Sequence, residues 1–154
     1  SNEFHINMVH VNENGIFLSG LKTGALLHVN SNFDVMEICN LPQGAHNAQP
    51  FGDGIILNDT GSNHVRYVGR DGVNTAFKII TYAEEEIEFA GIDDSKVARQ
   101  GFGRGLCAVD DRFLAGGSSP STVTLYDLQS GEAVASVNLT MDIRNAIHGL
   151  EVWA

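Results

Sequence analysis

Glycine punctuates this chain at intervals too short for helices. Seventeen glycines stand against three prolines in 154 residues. Between them lie apolar runs of about five to eight residues, the length of a strand rather than a helix. His5 to Val11 alternates loosely. Ile16-Phe17-Leu18-Ser19-Gly20 and Gly24-Ala25-Leu26-Leu27-His28-Val29 follow, and Asp34 to Leu41 alternates cleanly. A second set begins at Ala48 to Phe51, turns at Gly52-Asp53-Gly54, and continues through Ile55 to Asp59, His64 to Val68 and Val73 to Ile80. A third runs through Leu106 to Val109, Phe113 to Gly117, Thr122 to Asp127 and Glu132 to Leu139. Four strand-like runs in roughly forty residues make one sheet-sized repeat.

The repeats fall at about residues 4–41, 46–81 and 103–140. Ile147 to Trp153 then echoes Gly103 to Val109: Arg104-Gly105-Leu106 returns as His148-Gly149-Leu150, one repeat length of roughly 40 to 50 residues further on. Residues 82–100 break the period. That insertion contains Glu84-Glu85-Glu86-Ile87-Glu88, which reads as one or two helical turns or as a long loop, and a solvated crossover is its simplest role. Strands at this spacing predict an all-β chain. The expected form is a β-propeller sector of about three four-stranded antiparallel blades plus one extra strand at 147–153, within a single domain 1–154.

Three blades do not close a ring, and an open sector leaves sheet faces and edges uncovered. The expectation is therefore a homo-oligomer, with a dimer making a six-bladed ring, or else missing blades from a longer chain.

Two segments carry family resemblances. Pro50 to Gly72 (PFGDGIILNDTGSNHVRYVGRDG) resembles an NHL-type propeller repeat, whose core reads D-T-G-N-x-x-(I/V) and ends in D-G. Here Ser62 intrudes before Asn63. Thr122 to Val137 (TVTLYDLQSGEAVASV) is similar to the hairpin of WD-type and quinoprotein-type propellers, with Asp127-Leu128-Gln129-Ser130-Gly131 at its turn. Both resemblances imply propeller architecture and neither implies an activity, because propellers host enzymes and scaffolds alike.

A net charge of −10 argues against nucleic acid and against anionic membranes. No run is long or apolar enough to span a bilayer as a helix. The composition fits a soluble, cytoplasmic chain. Cys39 and Cys107 sit in apolar runs of different repeats, as free cysteines that behave as small hydrophobes. No G-x-S-x-G elbow occurs, and no residue set dictates a reaction.

The residue opening the first strand of each blade faces the central channel. In this register those residues are His5, His46, Arg104 and His148. Converging histidines would hold a divalent metal through neutral imidazole nitrogens, with His5, His46 and His148 as the ligands. Arg104 would bind an anion such as a carboxylate or sulfate. Hydrated channel polarity is the plainer reading of all four. Asn58 and Asp59 end the second strand of their blade. They read as ligand-binding groups or, in the sequence Asn58-Asp59-Thr60-Gly61, as a turn-stabilising pair. Two functions follow: a small-molecule or metal-binding propeller with its site in the channel, or a non-catalytic scaffold that recognises protein or glycan.

Overall fold

The computed structural model describes residues 5–92 and 98–153. Phe4, the expected start of the first repeat, and positions 93–97 of the insertion lie outside the described residues. Twelve strands form three separate four-stranded sheets. The first contains β1 (Ile6–Asn12), β2 (Gly15–Gly20), β3 (Ala25–Val29) and β4 (Val35–Asn40). The second contains β5 (Ala45–Phe51), β6 (Gly54–Asp59), β7 (His64–Val68) and β8 (Asn74–Lys78). The third contains β9 (Phe102–Ala108), β10 (Phe113–Ser119), β11 (Thr122–Asp127) and β12 (Glu132–Asn138). Every sheet runs in sequence order, and every pair is antiparallel. Short turns dictate this, since only neighbouring antiparallel strands can be joined by them.

The sheets stack face to face through two cores. Phe17, Leu26 and Leu41 of the first sheet meet Ala45, Ala48 and Leu57 of the second. Ile56, Val65, Phe77 and Ile79 of the second meet Leu106, Leu114 and Tyr126 of the third. Strand alternation sorts β6 between them: Ile56 faces the third sheet and Leu57 the first. Leu114 and Ile56 are fully buried, and each such side chain stabilises by about 1.5–3 kcal/mol relative to exposure. Phe77 and Tyr126 plug the second interface, with ring centroids 5.0 Å apart. Gly116 permits this, because a Cβ there would lie 2.8 Å from the Tyr126 ring.

The described part of the insertion is mostly exposed but carries a small core of its own. Two 3-10 turns, Glu84–Glu86 and Ala90–Ile92, bracket a small core of Ile87, Ala98 and Ile143. The Gln100 side chain accepts from the Tyr82 amide at 2.7 Å and donates to its carbonyl at 3.1 Å. The interruption of period is thus a folded cap on one end of the second and third sheets.

Residues 147–153 carry no sheet ladder among the described residues. The Ile147 amide donates to Ser118 at 3.3 Å, and Ile147 and Leu150 press on Gly105 and Gly117 of the third sheet. The extra strand expected at 147–153 is therefore an extended segment without a hydrogen-bonded strand neighbour among the described residues. Cys39 and Cys107 are both free, and burial pushes both thiols above their ordinary pKa. Among the described residues no helix is long and apolar enough to cross a membrane.

Candidate functional site

The first strands β1, β5 and β9 lie side by side along one edge of the stack. Repetition of the same four-strand plan puts the residue at the same place in each repeat toward the same axis. His5 precedes β1, His46 is in β5, Arg104 is in β9, and His148 lies in the segment that follows β12. The four come together. Burial is the largest cause holding the His46 imidazole below its ordinary pKa, and positive charge at Arg104, His5 and His148 acts the same way. A hydrogen bond from His46 Nδ1 to the Gly44 carbonyl, 3.0 Å, opposes them. His148 is lowered by burial first and by Arg104 second. Burial also lowers Arg104 itself.

Among the described residues no carboxylate pairs with Arg104. Its Nε is buried without a hydrogen-bond acceptor, and it takes part in no ion pair among the described residues. Its guanidinium lies over the Phe102 ring, 4.3 Å from the centroid. The Arg99 guanidinium lies at the same distance from that ring. His46 meets the ring edge-on, with centroids 6.0 Å apart. Arg99, Phe102, Arg104, Arg144 and His148 line one small cavity. Arg144 there is paired with Asp142 at 2.6 Å, whereas Arg104 meets no carboxylate among the described residues. Among the described residues no three His, Cys, Asp or Glu side chains are placed to hold a metal ion together.

Asn58 and Asp59 are adjacent in β6 and therefore point to opposite faces. Asn58 pairs with His46 across the β5–β6 ladder and shares its face. It is fully buried. Its Nδ2 donates to Asn47 Oδ1 at 2.9 Å and to the Gly105 carbonyl at 3.2 Å, while its Oδ1 has no donor. Asn47 joins Asn7 of the first sheet, and Gln49 donates to the Leu106 carbonyl at 3.2 Å. These amides tie the three inner strands together beneath the cation cluster. Asp59 turns away from it. It accepts from Ser62 Oγ at 2.6 Å and Arg66 Nε at 2.8 Å, fixing the turn after β6. Burial alone would raise its pKa, but these bonds outweigh that and hold it below the ordinary value.

Phe102 is the site residue the sequence reading passed over. Period-two alternation could have found it, since it stands two residues before Arg104 in the same strand. Arg99 had no such signal, because its position depends on how the insertion folds. A groove of about 620 Å³ between the first two sheets was also not foreseen. Ile38, Ile55, Leu57 and Val68 line it, with the Asp59–Arg66 pair at its wall. The stacked pair at this core, Phe17 and His28, lies within the first sheet.

No family model matches the chain, and no curated protein matches it in sequence. Solved structures do. A chain of hydrazine synthase from Kuenenia stuttgartiensis matches with a TM-score of 0.60 and 14% identity over 93% of this chain. Virginiamycin B lyase from Staphylococcus aureus matches with a TM-score of 0.56 and 10% identity over 90%. Both are β-propeller folds, and this chain spans only 38% and 43% of them. The chain is thus a β-propeller sector: three four-stranded blades, side by side, not closed into a ring.

Proposed function

We propose that this chain supplies three blades of a small-molecule-binding propeller whose channel site takes an anion on Arg104, with His46, His148 and His5 around it. The observation that carries the reading is the state of Arg104: half-buried, without an ion pair, and with its Nε lacking an acceptor. A buried cation left in this condition is costly unless a ligand completes it. Its charge also repels a metal ion, so an anion suits the cluster better than a divalent cation. Further blades, from a second copy or from additional chain, would complete the ring. The free face of the first blade supports this, since Val9, Val11 and Val35 lie on it largely exposed.

Calorimetric titration with succinate and with sulfate at pH 7.5 and low ionic strength tests the reading. Saturable binding by the unaltered protein and its loss in Arg104→Gln are expected. Equal binding by both proteins would overturn it.

A second reading rests on the groove between the first two blades. Its apolar lining and its size suit a recognition scaffold that grips a protein or glycan without chemistry. Retention of partner binding in Arg104→Gln would favour that reading.

A further inference from the structure

The hydrogen-bond inventory around His46 narrows the ligand class, and the inference rests on the channel reading above. A carbonyl oxygen can only accept, so the His46 Nδ1 that meets the Gly44 carbonyl at 3.0 Å must carry the proton. The Thr60 hydroxyl donates to that same carbonyl at 2.6 Å, which fixes the loop that holds it. A neutral His46 therefore turns a bare Nε2 lone pair outward, and Nε2 has no hydrogen-bond partner among the described residues. The groups facing the imidazole are Arg104 of β9, His5 before β1, His148 after β12 and the Phe102 ring. Among the described residues these supply positive charge and an aromatic ring, and no carboxylate, so the neutral imidazole is the form favoured there.

Arg104 is the opposite kind of group. A guanidinium has donors only. Both groups rest on one ring, Arg104 at 4.3 Å and His46 at 6.0 Å from its centroid. A ligand that meets both must offer an oxyanion to Arg104 and a hydrogen-bond donor to His46. An ammonium donor would be repelled by the neighbouring guanidinium, which leaves a neutral donor, and a hydroxyl is the smallest of these.

We infer that the channel site selects hydroxycarboxylates over the corresponding simple carboxylates, reading the carboxylate with Arg104 and the hydroxyl with His46 Nε2. A site that accepts a hydrogen bond from a ligand hydroxyl discriminates strongly against the analogue lacking it, because the acceptor is then left dry and unpaired.

Malate and succinate differ by that one hydroxyl and are both dianions at pH 7.5. Each enantiomer of malate and succinate would be titrated calorimetrically into the protein with EDTA present, which removes any bridging metal. One enantiomer of malate should bind at least about tenfold more tightly than succinate. His46→Leu should erase that preference, and Arg104→Gln should abolish binding of both. Equal affinity for malate and succinate in the unaltered protein overturns the hydroxyl inference and leaves the anion site standing. Absence of binding by either overturns both. A preference that survives in His46→Leu assigns the hydroxyl to another group and also overturns the inference.

Discussion

The Arg104 guanidinium and the Phe102 ring, two residues apart in β9, stack with 4.3 Å between Cζ and the ring centroid. Alternation places both on one face of the strand, and the ring gives the cation a surface to lie on while leaving its edge free. The same ring steadies His46 from the neighbouring blade. One aromatic side chain therefore aims two groups that arise from different repeats.

Phe102→Leu should weaken succinate binding by roughly 3- to 10-fold, the worth of a partly desolvated cation–π contact. The fold should survive, since Phe102 is outside both inter-blade cores. Calorimetry for binding and urea denaturation for stability would check the two halves. Unchanged affinity would mean that Arg104 holds its position without the ring.

Gly116→Ala should destabilise the protein by about 1–3 kcal/mol, as overpacking of a filled interface does. The added methyl would lie 2.8 Å from the Tyr126 ring and 3.3 Å from Val65. Gly131→Ala is a useful contrast, because nothing lies within 4 Å of its Cβ position and only its φ of +74° resists the change. Urea midpoints of the two variants would measure the difference.

His46 and His148 make stability depend on pH. The folded pKa values of His46 and His148 lie below the ordinary value of 6.5. The unfolded chain therefore binds more protons as pH falls through that value, and unfolding gains from them. Their contribution is fully present above about pH 6.5 and is lost progressively below it. The double variant His46→Gln, His148→Gln should show a flatter fall in urea midpoint between pH 7 and pH 5. An unchanged profile would remove the histidines as its source.

Sedimentation equilibrium should find a dimer at micromolar concentration. The first blade presents Val9, Val11 and Val35 to solvent, and the third presents Val134, Val137 and Leu139, with Trp153 beyond it 96% exposed. A propeller covers such faces with further blades. A Val9→Glu, Val11→Glu variant should shift the protein to monomer, since charge on a docking face opposes its burial. A monomer before any substitution would assign ring closure to additional chain rather than to a second copy.

Much of the architecture could be read from local signals. Gly52-Asp53-Gly54 and Gly69-Arg70-Asp71-Gly72 punctuate the second blade, and Ile55 to Asp59 lies between them as the strand β6. Turn chemistry and period-two alternation are local, so these readings needed no tertiary information. The repeat pattern singled out His5, Arg104 and His148 with His46, and all three act electrostatically on His46. The insertion was not. Ile87 and Ala98 acquire a core only through Ile143, more than forty positions along the chain.

What the sequence determined by itself is the repeat: strand lengths, turns, and the order of four strands in each sheet. What only the tertiary structure decided is the chemistry of the site. Whether His46 offers a proton or a lone pair depends on the Gly44 carbonyl beside it. Whether Arg104 is paired depends on which side chains from other elements reach it, and among the described residues none brings a carboxylate. Asn58 and Asp59 are neighbours in sequence, yet one braces the channel wall and the other a turn. A pleated strand sends adjacent side chains to opposite faces, and only the packed sheets show what waits on each.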